Sequence, residues 1–179
     1  MVTITYFVHG TTTDNEDELA TGWLPGELSA TGIEQSKQLG QQVSGQKFDI
    51  VFCSDLKRAV DSAQLAFGNT YQIIQDDRLR EANYGDWNGM PNTFKENLSD
   101  YIDTPFPNGE SFLNVQTRME SFCAFLKALY DGKHVAIVAH QAPQLALDVI
   151  VGGKSWPQAF GEDWRRTGKW QPGWQYELR

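Results

Sequence analysis

Five polar residues of this chain have side chains that could together act on a phosphate group. They are His9, Asn15, Arg58, Glu81 and His140. A neutral imidazole can attack phosphorus, cationic groups can neutralise the phosphoryl oxygens, and a carboxylic acid can protonate the leaving oxygen. These residue types are sufficient for phosphoryl transfer without a metal ion, provided that the fold brings them together.

Both histidines follow segments that are typical of buried strands. His9 comes after the β-branched and aromatic residues 2–8, and His140 comes directly after the largely apolar residues 134–139. If these strands are parallel neighbours, the two imidazoles meet beyond the carboxyl ends of the strands. Ligands bind at this edge in open α/β sheets, so the pattern predicts a site there.

The remaining hydrophobic pattern alternates between helices and strands. We predict helices at 32–43, 56–66, 94–101, 110–130 and 143–150, strands at 48–53 and 71–75, and, in the tail from 156 onward, a helix followed by a strand at 174–178. Ser29 is expected to cap the first helix, and Ser54 or Asp55 the second, whose first turn carries Arg58. The polar residues 16–21 are predicted to form a loop.

This alternation predicts an α/β fold with three layers (α/β/α), in which a mostly parallel central sheet carries helices on both faces. A single domain spanning 1–179 is expected from the chain length.

Ser111 is expected to cap the helix at 110–130, with Glu110 complementing the helix dipole. The tail tryptophans are expected to fill the core; they are Trp156, Trp164, Trp170 and Trp174.

Composition and charge narrow the classes of partner. A net charge of -8 argues against nucleic acid, because phosphate backbones bind dense basic surfaces. No apolar run approaches the roughly 18 residues that span a bilayer. No signal peptide is visible, so no membrane partner and a cytoplasmic location are expected. Cys53 and Cys123 lie in apolar stretches and are expected to be buried, reduced thiols; with one spare histidine they make a poor zinc site.

The chain resembles the histidine phosphatase superfamily, also called the phosphoglycerate-mutase-like family. The motifs that carry the resemblance, in chain order, are His9-Gly10-Thr11-Thr12 with Asn15, Gly22-Trp23, Leu28-Ser29-Ala30-Thr31-Gly32, Ser54-Asp55-Leu56-Lys57-Arg58-Ala59, Leu79-Arg80-Glu81, Tyr84-Gly85-Asp86-Trp87-Asn88-Gly89, Gly109-Glu110-Ser111 with Arg118, and Ala136-Ile137-Val138-Ala139-His140. Each motif is weak by itself, whereas their order along most of the chain is specific. The resemblance implies the family's α/β fold and its phosphoryl-transfer chemistry.

The resemblance also implies roles for individual residues. His9 would be the nucleophile that becomes phosphohistidine, and Glu81 the proton donor and later the base for water. Arg58 and His140 would contact the transferring phosphoryl group. The remaining implied members of the pocket are Asn15, which lines it, and Thr21 and Gly22, which lie near the substrate. No metal ion and no cofactor is implied.

Two positions depart from the family's pattern. Val8 stands where the family has an arginine that contacts the phosphoryl oxygens, and losing one such donor costs on the order of 3 to 4 kcal/mol of transition-state stabilisation. Another cation could replace it, and the candidates are Arg78, Arg80 and Lys154. After His140 the family has glycine, whereas this chain has Gln141, which could bind substrate or crowd the site.

The function predicted is a metal-independent phosphomonoesterase acting on a small phosphorylated metabolite through a phosphohistidine at His9. One alternative is a family member that has lost turnover and binds a phosphorylated ligand. Another is a phosphoglycerate mutase, although family mutases carry a longer, basic insertion after the Glu81 region and residues 90–108 here contain only one basic residue, Lys95. For Asn15, a purely structural role in a turn stays open. The sequence predicts no oligomeric state.

Overall fold

The structure is a computed structural model, and it describes residues 1–163, 165 and 173–179. The strands are Val2–Val8 (β1), Leu19–Ala20 (β2), Ile50–Cys53 (β3), Ile73–Gln75 (β4), Met90–Pro91 (β5), His134–Ala139 (β6) and Trp174–Leu178 (β7). The α-helices are Thr13–Glu16 (α1), Ala30–Gln42 (α2), Lys57–Phe67 (α3), Phe112–Leu129 (α4), Gln141–Ile150 (α5) and Trp156–Gly161 (α6). Within the continuous stretch 1–163, 3-10 helices cover Asp77–Leu79, Gly85–Trp87 and Asn92–Tyr101.

The central sheet has the strand order β4-β3-β6-β1-β7. The pairs β3–β4, β3–β6 and β1–β6 are parallel, and β7 runs antiparallel to β1 at one edge. The prediction of a mostly parallel sheet is therefore confirmed. In the β1–β6 register Val8 lies opposite Ala139, so His9 and His140 leave adjacent strands at the same level.

Side chains alternate along the strands and bury both faces of the sheet. On one face, Phe7 and Val51 pack with Leu39 of α2 and Phe67 of α3. On the other face, strand residues pack against α4, α5 and α6 in the larger core; the buried members include Ile4, Tyr6, Phe52, Ile137, Met119, Leu145 and Phe160. The three-layer α/β/α prediction is confirmed, and Cys53 and Cys123 are buried free thiols, as expected.

Serine side chains start two of the helices as predicted. The hydroxyl of Ser29 accepts the backbone N–H of Gly32 at the start of α2, and Ser111 forms a reciprocal capping box with Asn114 at the start of α4. The predicted Ser54 or Asp55 cap of α3 is wrong. That helix begins at Lys57 after Leu56, with no side-chain cap. Both expected caps have other partners. The distant Arg80 binds the Asp55 carboxylate, and the Ser54 hydroxyl accepts the backbone N–H of Leu56, which precedes the helix.

The segment 16–21, predicted as a loop, instead contains part of α1 and all of β2. Strand β2 pairs with β5, which lies about seventy residues further along the chain, and local polarity does not signal such a contact. Helix α5 begins at Gln141 rather than at Pro143, because proline is tolerated in the first turn of a helix. The helix predicted at 94–101 is a 3-10 helix over Asn92–Tyr101.

The predicted tail helix and last strand correspond to α6 and β7. Trp156 is buried, as expected for a core residue, and Trp174 is partly buried against the larger core. The expectations for Trp164 and Trp170 concern positions outside the described residues. Among the described residues, no helix has the length and apolar character needed to cross a membrane.

Candidate active site

His9 lies at the carboxyl end of β1 and is held in one tautomer. Its backbone N–H donates to the Ala139 carbonyl at 3.0 Å, and its ring Nδ1 lies 2.7 Å from the Gly10 carbonyl. Because a carbonyl only accepts, Nδ1 carries the proton and Nε2 keeps a lone pair. Burial and the neighbouring Arg58 lower the pKa of His9 from 6.5 to about 3. The ring is therefore a neutral imidazole near pH 7, the form that can act as a nucleophile.

Arg58, in the first turn of α3, is 2% exposed and fixes the ring of His9. Its Nε–H donates to Nε2 of His9 at 3.3 Å. Its remaining donors are directed to backbone carbonyls of the loop after β2, at Leu24 (2.8 Å), Pro25 (3.2 Å) and Gly22 (2.8 Å). A guanidinium held in this way positions the imidazole, and its charge opposes protonation of Nε2.

Gly22 therefore lies beside Arg58, and neither Thr21 nor Gly22 is in the lining of the cavity described below. Gly22 has a φ of +55°, and a Cβ there would lie 1.8 Å from the side-chain oxygen of Asn88. The close approach explains the glycine, which presents its carbonyl to Arg58. The hydroxyl of Thr21 is buried without a hydrogen-bond partner among the described residues.

His140 lies beside His9, with 5.1 Å between the two ring centres. It is fully buried, and the hydroxyl of Tyr6 both accepts from its backbone N–H at 3.0 Å and donates to its carbonyl at 2.7 Å. Burial, with a smaller effect of Arg58, lowers the pKa of His140 well below 6.5. Neither ring nitrogen has a hydrogen-bond partner among the described residues. Buried polar atoms rarely stay unpaired, so the ring nitrogens of His140 are available to hydrogen-bond with a polar group held beside His9.

Glu81 is 6% exposed, and its carboxylate is fixed by the backbone of two elements. One oxygen accepts the N–H of Ala82 and that of Ala142, each at 2.9 Å, the second from the first turn of α5. The carbonyl of Glu81 accepts from the Arg118 guanidinium at 3.0 Å, which in turn pairs with Glu110 at 3.0 Å. Glu110 thus orients Arg118, a role that the expected dipole effect did not include.

His9 and Glu81 open onto one cavity of about 280 Å³. Its lining residues are Val8, His9, Thr11, Asn15, Gln35, Glu81, Lys95, Gln141 and Arg165. The structure therefore brings Asn15 and Gln141 to the predicted pocket. It adds Thr11, Gln35, Lys95 and Arg165, which sequence reasoning did not assign to the site. Lys95 had one signal, as the only basic residue in 90–108, whereas Gln35 had none.

Two of these lining side chains also have structural partners. The side-chain oxygen of Asn15 accepts the backbone N–H of Thr12 at 3.1 Å and completes a capping box for α1, so the turn-forming role is present alongside its place in the cavity. The side-chain amide of Gln141 donates to Asp163. Each residue is thus oriented before any ligand contact.

The three cations suggested as replacements for an arginine at position 8 lie elsewhere. Arg78 pairs with Asp76 at 2.6 Å, Arg80 with Asp55 at 2.5 Å, and Lys154 with Asp148 at 3.2 Å. None lines the cavity, so the suggestion is wrong: each of the three cations is committed to a nearby carboxylate. The cations that the structure places in the lining are Lys95 and Arg165. Within the described part of the chain, no group of three His, Cys, Asp or Glu side chains could hold a metal ion.

The chain is similar in sequence and in fold to known proteins. Residues 6–167 match the family described as the histidine phosphatase superfamily (branch 1). The adenosylcobalamin/alpha-ribazole phosphatase of Escherichia coli (strain K12) is 34% identical over 145 residues, covering 74% of this chain and 70% of the phosphatase. A 2,3-bisphosphoglycerate-dependent phosphoglycerate mutase of Cytophaga hutchinsonii is 33% identical over 150 residues, covering 74% of this chain and 68% of the mutase. The crystal structure of the alpha-ribazole phosphatase from Shigella flexneri superposes with a TM-score of 0.75 at 26% identity, covering 89% and 84% of the two chains.

Proposed function

This chain belongs to the histidine phosphatase superfamily and has its phosphoglycerate-mutase-like α/β fold, and we propose that it is a metal-independent phosphatase that hydrolyses a small phosphomonoester through a phosphohistidine at His9. The observation that carries the proposal is the state of His9. Its Nδ1–H is fixed on the Gly10 carbonyl, its Nε2 has a lone pair, and the ring is neutral and lines the cavity.

In the first step Nε2 of His9 gives up its hydrogen bond from the Arg58 Nε–H and attacks phosphorus, and the bond between phosphorus and the leaving oxygen breaks. Glu81, in its acid form, donates a proton to that oxygen, so an alcohol leaves and phospho-His9 remains. In the second step water attacks phosphorus while the Glu81 carboxylate takes its proton. The phosphorus–nitrogen bond breaks, inorganic phosphate leaves, and both residues return to their starting states.

The neighbouring groups support this sequence in different ways. The neutral ring of His140 can donate one N–H to a phosphoryl oxygen and thereby gain a partner. Arg58 keeps the nucleophile oriented and unprotonated. Its own contact with the phosphoryl group, which the family resemblance implies, stays a prediction, because four of its hydrogen bonds go to His9 and backbone carbonyls.

The size of the site favours a small leaving group. A second cavity of about 220 Å³ shares Lys95, Gln141 and Arg165 with the first, and its other lining residues are Glu96, Leu98, Ser99, Phe160 and Asp163. Together the two cavities are in the size range of small-molecule sites. The phosphoryl group would lie at His9 and the alcohol portion would extend toward the second cavity.

Phosphoglycerate mutase activity is the second candidate, favoured by the mutases among the relatives of this chain. It would require a bisphosphorylated ligand, and residues 90–108 offer a single basic residue, Lys95, for a second phosphate. Transfer of phosphate between positions of phosphoglycerate, primed by bisphosphoglycerate, would identify a mutase. We expect hydrolysis without transfer.

The first experiment measures hydrolysis of an aryl phosphate between about pH 5 and 8 by wild type, His9→Ala and Val8→Arg, with chelator present. Wild type should turn over, and His9→Ala should lose about 10⁴-fold or more in kcat. Acid-sensitive phosphohistidine should be trapped on wild type and on Val8→Arg but not on His9→Ala. Val8→Arg should gain activity, because we propose that valine replaces a phosphoryl-binding arginine. His134→Gln is the control, since His134 lies at the opposite end of β6 and contacts Thr5.

The alternative outcomes separate the rival functions. An inert wild type with an active Val8→Arg would mean that the pocket is competent and that Val8 has disabled it. If none of the three proteins hydrolyses the aryl phosphate but wild type binds inorganic phosphate measurably, the result would favour a binding module. Equal activity of wild type and His9→Ala would exclude a phosphohistidine at this position.

A further inference from the structure

A phosphoryl group in the cavity needs positive charge beside its oxygens, and the cations near His9 are not equally available. Arg58 is directed to three carbonyls and to His9. Arg165 pairs with Asp163 at 2.8 Å. Lys95 lines the cavity with Val8, His9 and Glu81, and among the described residues its ammonium has no ion pair and no hydrogen bond.

The position of Lys95 is set by its neighbour in the 3-10 helix Asn92–Tyr101. Phe94 packs edge-on or tilted against Tyr84, Trp87 and Phe106, with ring centres 5.0, 5.1 and 5.6 Å apart. The ammonium of Lys95 lies 5.2 Å from the centre of the Tyr84 ring. The aromatic face holds the charge near the cavity without neutralising it, as cation–π contacts do.

We propose that the Lys95 ammonium binds the oxygens of the phosphoryl group at His9 and so supplies the charge that an arginine at position 8 would otherwise supply. The proposal rests on the proposed function and makes Lys95 a catalytic residue. A lysine on a 3-10 helix far along the chain would then replace a residue next to the nucleophile. The side chain is available for this role, because it lines the same cavity as His9 and is not committed to a carboxylate.

The charged groups around Lys95 fit a role in the protonated form. Glu81 and Asp163 favour its charge, whereas Arg58 and Arg165 oppose it. The neutral rings of His9 and His140, on both of which Lys95 acts electrostatically, and the Tyr84 ring are also near it. Burial is the largest effect and lowers the pKa of Lys95 from 10.5. Loss of the proton should therefore end activity at a lower pH than an ordinary lysine would.

The test compares Lys95→Met, Lys95→Arg and Lys127→Met, the last being an exposed lysine on α4 that removes the same charge elsewhere. The readouts are kcat/KM for an aryl phosphate from pH 6 to 10, affinity for inorganic phosphate by calorimetry, and melting temperature. Lys95→Met should lose about 100-fold or more in kcat/KM and most of its phosphate affinity, while Lys127→Met stays like wild type. Lys95→Arg should retain activity to within about tenfold, without the alkaline decrease expected of wild type.

A second comparison separates a phosphoryl contact from a structural role. If Lys95 and an arginine at position 8 bind the same oxygens, Lys95→Met should cost much less in a Val8→Arg background than in wild type. An equal cost in both backgrounds would overturn the shared contact.

The possible failures are distinguishable. An active wild type and an equally active Lys95→Met would overturn the role of Lys95 and leave the phosphatase intact. An inert wild type whose phosphate affinity is lost in Lys95→Met would support the contact and contradict hydrolysis. A wild type that neither hydrolyses aryl phosphate nor binds phosphate would overturn both.

Discussion

At the scale of single residues, the carboxylate of Glu81 offers a test of acid catalysis that leaves the geometry in place. One oxygen accepts two backbone N–H groups, from Ala82 and Ala142. The amide oxygen of Glu81→Gln can accept the same bonds, but the amide cannot donate a proton as an acid. We expect kcat/KM to fall by about 10²- to 10⁴-fold for an alkyl phosphate. The loss should be much smaller for 4-nitrophenyl phosphate, whose leaving oxygen needs no proton.

The dependence on the leaving group is the decisive measurement. Glu34→Gln, on the exposed side of α2, is the matched control and should behave like wild type with both substrates. An equal loss with both substrates would instead assign Glu81 a role in binding or structure.

The residues that sequence reasoning could place are those with a local signal. His9 and His140 each follow an apolar strand, and the β1–β6 pairing brings them together. Lys95 and Gln35 could not be placed, because they reach the cavity through packing of the 3-10 helix Asn92–Tyr101 and of α2. The catalytic roles of all these residues stay predictions, for which His9→Ala and Glu81→Gln are the tests.

At the scale of elements, the loop after His9 rests directly on the first turn of α2. A Cβ on Gly32 would lie 1.9 Å from the Thr11 carbonyl oxygen, and one on Gly10 would lie 2.3 Å from the Gly32 carbonyl oxygen. Neither atom is the end of a flexible side chain, so the backbones must separate. Gly32→Ala should therefore lower the free energy of unfolding by about 1 to 3 kcal/mol. It should also lower kcat/KM, since Thr11 lines the cavity.

Gly45 provides the control for this substitution, because a Cβ there would meet no atom within 4 Å. Gly45→Ala should match wild type in both thermal unfolding and activity. Wild-type stability and activity in Gly32→Ala would show that the loop and the helix can separate without consequence.

Most elements could be predicted because their signals are local. Alternating strands and helices and the capping serines Ser29 and Ser111 are readable in the sequence. The sequence-based predictions are wrong where contacts between residues distant in the chain decide whether an element forms or where it begins. Strand β2 exists because it pairs with β5, and the start of α3 shifts because Arg80 binds Asp55.

At the scale of the whole molecule, the net charge of -8 does not indicate the charge of the groups that line the pocket. Two cations of the described residues line the cavity and Arg58 lies beside it, while other carboxylates pair with lysines and arginines elsewhere. Charge summed over a chain limits its macromolecular partners, whereas the field in a cavity depends on which few side chains the fold brings there.

Burial of two neutral histidines couples the site to the stability of the whole fold. The pKa of His9 is about 3 in the folded chain and 6.5 ordinarily, and that of His140 is also lowered. Between these values the unfolded chain binds more protons than the folded chain. The free energy of unfolding therefore rises with pH across this window. The contribution of the two neutral histidines is fully present above about pH 6.5 and is lost as the pH falls toward 3.

For His9 alone the slope is at most about 1.4 kcal/mol per pH unit, and partial exposure of the ring reduces it. We expect His9→Asn, which cannot titrate there, to unfold in urea with a shallower dependence of free energy on pH between 4 and 6 than wild type. Asn15→Ser changes the same cavity without removing a titrating group, so it should keep the wild-type slope. Identical slopes for wild type and His9→Asn would mean that His9 is protonated equally in the folded and unfolded chains, and the neutral nucleophile on which the proposed mechanism depends would be lost.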